Sequence, residues 1–312
     1  MRPNGKVAAA VVLTCAVVGC SKRDSQKTKA AEQVQSKTEQ AWSPSPKAID
    51  GEGFVGTPSP TVKGPVSFAD GEAAYQSKNY GEARQLFEQY VQRRPDNPWG
   101  HYMLGLSAWK SGDLVKSEES FESALRIDPT HMKSLVNLSR VLIEQKRYDD
   151  AIGKLTTAAD VDPESATVPR LMARAHSAKG EFEPAVDAYR RAIALDGSDA
   201  WSMNNLGLLY LERGFVEDAL AYLAKAVQMN ENVAAFHNNL GMALEHQGRF
   251  VAASAAYKGA LTADPGYKKA KQNLVRVEAV KAGPEEPFDL AVAARGTDED
   301  RKVASDETRA SK

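Results

Sequence analysis

Residues 98–131 read PWGHYMLGLSAWKSGDLVKSEESFESALRIDPTH, and the punctuation of this stretch returns at a fixed step. Asp128-Pro129 recurs one step of 34 residues later as Asp162-Pro163, and three steps further on as Asp264-Pro265. Pro95 stands one step before Pro129. Aligning the chain to this period gives repeats at 64–97, 98–131, 132–165, 166–199, 200–233 and 234–267. A period of this length signals a stacked array in which each unit buries its apolar face against its neighbours.

Within each unit the pattern is that of two helices joined by a turn. Small residues hold the eighth place (Gly71, Gly105, Ser139, Ala173, Gly207, Gly241) and the twentieth (Ala83, Ser117, Ala151, Ala185, Ala219, Ala253). The twenty-seventh place is alanine in repeats two to six, with Tyr90 the exception in the first. Small side chains there let two helix axes cross closely, and a large one would overpack the contact at a cost of roughly 1–3 kcal/mol. Large side chains fill the spaces between, with Phe87, Phe121, Leu155, Tyr189, Leu223 and Tyr257 at the twenty-fourth place. Gly112, Gly180, Gly214 and Gly248 mark the turn, where a helix end favours positive φ. Proline at the thirty-second place stops the second helix, and Gly197 and Glu231 depart from it.

These places and spacings resemble the tetratricopeptide repeat, and the match is close in repeats two, five and six. The resemblance implies an all-α solenoid of helix-turn-helix units stacked into a superhelix. Repeat one is weak in its first helix, with Asp70 where the family has leucine. After repeat six the pattern restarts once, with Leu274 at the seventh place, which predicts a capping helix over 268–281. Beyond it, 282–312 is charged and poor in apolar residues, and composition predicts a disordered tail.

The other end of the chain reads as a targeting segment. Arg2 and Lys6 precede an apolar run from Val7 to Val18. As a helix that run spans ~18 Å, short of a bilayer core of about 30 Å. A basic start, a short apolar core and small residues at its end describe a signal peptide over 1–19. Val17-Val18-Gly19-Cys20 resembles a bacterial lipobox, which implies lipidation of Cys20; an ordinary signal peptide and an uncleaved anchor are the alternatives. Ser21 after Cys20 resembles the sorting pattern for an outer membrane facing the periplasm. Residues 20–63, rich in Lys, Gln, Ser, Thr and Pro, are expected to form a disordered tether averaging ~35 Å end to end. Trp42 and Phe54 are its candidate contact points.

The bulk composition excludes several classes of function. A formal net charge of −1 over 312 residues gives no general attraction to nucleic acid. The two cysteines, Cys15 and Cys20, leave the repeats without a disulfide or thiolate metal site. The five histidines show no ligand-like clustering; His237 and His246 lie on different faces of one helix, and His176 takes a core place usually held by tyrosine. No phosphate-binding glycine loop or nucleophile–base set stands out, no cofactor is expected, and no segment remains for a catalytic domain.

The resemblance implies that partner segments lie along the concave surface, lined by the first helix of each unit at its second, fifth, sixth, ninth and twelfth places. Asn137, Asn205, Asn239 and Asn273 occupy the sixth. Each amide can donate and accept, so such a row suits an extended peptide backbone. Arg140 and Arg174 occupy the ninth, with Arg276, Arg170 and Lys133 near, a basic stretch suited to acidic segments or, alternatively, a solvated face. Trp99, Tyr102, Trp109 and Trp201 are candidate aromatic anchors, one of Trp99 and Trp201 being expected to seal neighbouring repeats instead. The places of the chaperone-binding dicarboxylate clamp are incomplete. The asparagine row puts the expected hold in the carboxyl-terminal half.

The fold and the lipobox together resemble envelope lipoproteins that assemble pili and secretins or recruit peptidoglycan hydrolases. They imply a scaffold that binds envelope proteins while a lipid anchor holds the membrane. A self-associating spacer without a peptide ligand is the alternative, an enzyme a distant third, and the oligomeric state is open.

Overall fold

The computed structural model describes residues 65–280 and 283–296, and every regular element among them is an α-helix. Six helix pairs follow in order. They are α1 (Phe68–Gln76) with α2 (Tyr80–Arg93), α3 (Pro98–Lys110) with α4 (Leu114–Ile127), and α5 (Met132–Glu144) with α6 (Tyr148–Val161). Next come α7 (Thr167–Lys179) with α8 (Phe182–Leu195), α9 (Ala200–Glu212) with α10 (Val216–Met229), and α11 (Ala234–His246) with α12 (Phe250–Ala263). A single helix α13 (Lys268–Glu278) and a short α14 (Leu290–Ala294) complete the set. The expected signal peptide, Cys20, the expected tether with Trp42 and Phe54, and the chain beyond 296 lie outside the described residues.

The 34-residue period is visible in the caps. Asn97, Asp113 and Asp199 each place a side-chain oxygen on a backbone N–H of the helix they precede, which satisfies donors that no helical carbonyl can reach. The second helices stop at the same place whether or not proline follows. Asp128, Asp162, Asp196, Asn230 and Asp264 each accept the N–H two residues on. This side-chain turn at the thirty-first place ends the helix, so Gly197 and Glu231 in place of proline change nothing. Between paired helices the chain turns through a left-handed residue, glycine in four units but Lys78 (φ 61°) and Lys146 (φ 62°) in the other two.

The small places do what packing requires of them. A Cβ on Gly105 would lie 2.7 Å from the Phe121 ring, one on Gly207 2.6 Å from Leu223 Cγ, and one on Gly241 2.5 Å from the Tyr257 ring. In the four repeats with glycine at the eighth place, that place thus seats the fully buried twenty-fourth-place side chain of the partner helix. In repeat one the exceptions compensate each other. Ser67 and Asp70 form a capping box, so α1 starts late and Asp70 is a cap rather than a failed core residue. Tyr90, large where the others are small, fits against Gly100 and receives a hydrogen bond from Asn97 Nδ2 at 2.8 Å.

First helices of successive repeats also touch, α1 with α3, α3 with α5, α5 with α7, α9 with α11 and α11 with α13. The array therefore curves with first helices inside and second helices outside. The helix α13 closes the apolar end of repeat six, burying Ala270 and Val277.

The expected disorder from 282 onward is corrected for residues 283–296. This segment returns over the second helices, packs α14 against α10 and buries Ala294 to 1% exposure. Composition averaged over the tail hides Pro287-Phe288-Asp289-Leu290-Ala291-Val292, in which Phe288 and Leu290 face the core while Asp289 caps α14.

Candidate functional site

The inner face holds two clusters of different character. In the carboxyl-terminal half the asparagines bond to one another. Asn273 Nδ2 donates to Asn238 Oδ1 (3.0 Å), Asn238 to Asn239 Oδ1 (3.3 Å), Asn239 to Asn204 Oδ1 (2.9 Å) and Asn204 to Asn205 Oδ1 (3.1 Å). Arg276 Nη1 feeds the row through Asn273 Oδ1, while its other nitrogens hold the Glu245 carboxylate at 2.9 and 2.8 Å. Asn204 and Asn238, both buried, make the steps between repeats, and reading the sixth place alone missed them. Their signal was the dipeptide Asn-Asn at 204–205 and again at 238–239. Asn204, Asn238, Asn239 and Asn273 thus have an internal partner on both sides, Asn205 bonds Asn204 and Tyr189, and Asn205, Asn239 and Asn273 keep only their remaining lone pairs and protons for a ligand.

Asn137, at the same place in repeat three, belongs to the second cluster. Its Nδ2 donates to the Lys133 carbonyl (2.9 Å) and, more weakly, to Tyr102 Oη (3.4 Å), and its Oδ1 accepts from Arg140 Nη1 (2.9 Å). Arg140 is only 6% exposed, and its Nε is buried with no hydrogen-bond partner. Burial first, and then the charges of Arg170 and Arg174, push its pKa down to about 10. Arg174 falls to about 10 as well, again through burial first. Arg170 is held by Asp199 (3.1 Å), the residue that also caps α9.

Trp99 flanks this cluster and is 45% exposed. Its ring meets Tyr102 edge-on at 5.7 Å and His131 at 4.6 Å, and Lys133 Nζ lies 5.0 Å from its centroid. Tyr102 is buried, which raises its hydroxyl to about 12. Repeats two to four therefore present an indole face beside converging guanidinium groups. Trp109 and Trp201 are placed differently. Trp109 lies in the core with its indole N–H on Glu144 (2.9 Å), and Trp201 packs edge-on against Phe236 at 4.9 Å, sealing the next repeat. Of the four aromatic candidates only Trp99 offers an open face.

The histidines serve the fold. His176 Nδ1 lies 2.6 Å from Glu181 Oε2, and His237 Nε2 lies 2.8 Å from the Glu231 carbonyl. Among the described residues no group of three His, Cys, Asp or Glu is placed to hold a metal ion, and no helix is long and apolar enough to cross a membrane.

Comparison with known proteins gives the same repeat. Family models described as "Tetratricopeptide repeat" and "TPR repeat" match residues 204–268 and 173–214, and the "Cilia and flagella-associated protein 70 middle TPR-like domain" matches 69–181. The chain is similar to "Superkiller protein 3" of Schizosaccharomyces pombe, 28% identical over 153 residues that make up 47% of this chain and 11% of that protein. It is also similar to "Cellulose synthase operon protein C" of Xanthomonas axonopodis pv. citri, 28% identical over 183 residues, 56% of this chain and 12% of the other. These matches span only a small part of the relatives' own lengths. Among solved structures, Pseudomonas aeruginosa pilF aligns with a TM-score of 0.57 at 17% identity, over 67% of this chain and 95% of its own, a likeness of fold. Six stacked helix pairs, with repeat models matching along 69–268, give the described residues the fold of a tetratricopeptide-repeat solenoid.

Proposed function

We propose that the chain is a membrane-tethered scaffold whose inner face, at repeats two to four, docks an acidic segment of a partner protein. Proteins of this repeat generally mediate protein–protein contact. The observation that carries the finer reading is Arg140, a buried guanidinium with an orphaned Nε between two more arginines. A buried charge without a counter-charge is costly in the free protein, and a carboxylate delivered by a ligand offsets that cost. The half-exposed Trp99 beside Lys133 supplies an anchor for an apolar side chain next to the acidic one. On this reading the hold lies nearer the amino-terminal half than the asparagine row suggested; that the amides of that row already bond one another supports it.

The tether in this proposal is lipid on Cys20, which holds the array at a bacterial envelope membrane, the outer one facing the periplasm where there are two. Its partners are components of an envelope machine, a pilus or secretin or a cell-wall enzyme complex. The lipobox resemblance and the resemblance to envelope adaptor lipoproteins support both statements.

A photoreactive residue at Trp99, on the inner face, is expected to crosslink a specific protein in intact cells. The same residue at Val115, exposed on the outer helix α4, is expected to give none. Adducts from Val115 alone would overturn the groove. Cys20→Ala is expected to release the protein from membranes, and retention of that variant in the membrane fraction would overturn the tether.

A further inference from the structure

The outer side of the array carries an occupied groove. Residues 285–290 cross between α10 and α12, above Leu240 and Leu244 of α11. The helix α12 has no side-chain cap from the residue preceding it. Instead the Glu285 carboxylate accepts the backbone N–H of Val251 (2.8 Å) and, at longer range, of Ala252 (3.4 Å). A carboxylate there meets both the unsatisfied donors and the positive end of the helix dipole. Arg249 makes two further contacts, donating from Nη2 to the Glu286 carbonyl (2.6 Å) and laying its guanidinium 5.1 Å from the centroid of the Phe288 ring. Phe288 and Leu290 pack on the core without being fully buried by it.

The segment does not fill its seat. An open cleft of about 490 Å³ runs beside it, lined by Val227, His237, Leu240, Leu244 and Ala256 and by Phe288 and Leu290 of the segment itself. This segment is therefore held by three directional contacts, a capping carboxylate, a main-chain carbonyl and a ring under a guanidinium, over an apolar floor it covers incompletely. Those are the elements of a short-peptide site, and they lie on the side opposite the concave cluster.

We infer that this groove is a second peptide-docking site, reading a carboxylate, an aromatic ring three residues on and an aliphatic side chain two beyond that. Residues 285–294 occupy it in cis until a partner segment of the same chemistry takes their place. The cis occupant fixes the spacing through Glu285, Phe288 and Leu290, and it lowers the apparent affinity for any competitor by the fraction of molecules in which the groove is open.

The test uses the full chain and a fluorescent peptide carrying residues 283–296 as probe. A Glu285→Ala/Phe288→Ala variant weakens the cis occupant and leaves the groove intact. It is expected to bind the probe at least ~10-fold more tightly than the unaltered chain. Adding Arg249→Ala, a half-buried side chain outside the hydrophobic core, is expected to abolish that gain with the helical circular dichroism retained. Equal binding by the unaltered chain and the weakened variant, no binding by a folded weakened variant, or binding indifferent to Arg249→Ala would each overturn the proposal. A concentration-dependent dimer of the weakened variant that forms without probe would also count against it, by making a second copy the occupant.

Discussion

Replacing Arg140 with methionine should stabilise the free protein while weakening its hold on an acidic ligand. The fall in the Arg140 pKa from the usual guanidinium value to about 10 corresponds, at about 1.4 kcal/mol per tenfold, to ~3 kcal/mol of differential cost for keeping the charge in the folded state. Methionine removes that cost and keeps an apolar stem in the packing. It also forfeits the hydrogen bond to Asn137 Oδ1, worth about 1 kcal/mol. The expected net change is a gain of ~1–2 kcal/mol, consistent with the general behaviour of buried charges replaced by apolar groups. The assay is urea unfolding followed by circular dichroism at pH 7.5, read as a shift of midpoint, because a repeat array need not unfold in one step. The gain also has a pH signature. Above about pH 10 the folded chain loses a proton at this position that the unfolded chain keeps, so the stability of the native protein rises with pH relative to the variant. The advantage of Arg140→Met is therefore full below about pH 10 and fades above it. A loss of 2 kcal/mol or more at pH 7.5 would refute the reasoning, because Arg140 would then be a structural strut and not an uncompensated charge awaiting a partner.

Three further outcomes follow from the fold. Lys146→Gly should raise stability by about 0.5–1 kcal/mol, since relief of a left-handed lysine (~1–2 kcal/mol) exceeds the entropic cost of glycine (~0.5–1 kcal/mol); an unchanged or lower unfolding midpoint would contradict the strain. Gly207→Ala should cost roughly 1–3 kcal/mol by thermal unfolding, because the new Cβ would sit 2.6 Å from Leu223 Cγ and 3.1 Å from the Ala219 carbonyl. A double-mutant cycle on Asn204→Ala and Asn239→Ala should give a coupling of ~1 kcal/mol between repeats five and six, and additivity of the two changes would show that the amide bond carries no stability.

What the sequence made legible was the part of the fold decided by size and backbone geometry. Gly105, Gly207 and Gly241 could be read because a missing Cβ has one dominant consequence in a helix pair, and that consequence repeats every 34 residues. Lys78 and Lys146 were harder, since a lysine gives no sign that it holds the position glycine takes elsewhere. Asp70 read as a defect because its role depends on Ser67 starting the helix late, a decision made by the neighbour and not by the repeat. The tail was lost to averaging. A few apolar residues among many charges look disordered by composition, and packing against α10 together with the cap on α12 turns them into a docked segment.

The candidate site divides along the same physical line. Which residues face inward is what the repeat resemblance implies, so Asn137, Arg140, Trp99 and the asparagines could be named from their places in the repeat. Which of them is left wanting a partner depends on side chains one repeat away, 35 residues off in sequence. Asn239 and Asn204 complete each other across the repeat junction, as do Asn273 and Asn238. Arg140, Arg170 and Arg174 are brought together by that same stacking and oppose one another. Identical geometry applied to amides gives a closed row, and applied to guanidiniums it gives a site whose field is cancelled only in part, by Asp199 on Arg170 and by Glu144 near Arg174. An array of near-identical units therefore acquires a preferred docking position without any change of backbone, because stacking multiplies whatever the inward places carry. With neutral amides it multiplies cohesion, and with like charges it multiplies the demand for an anion.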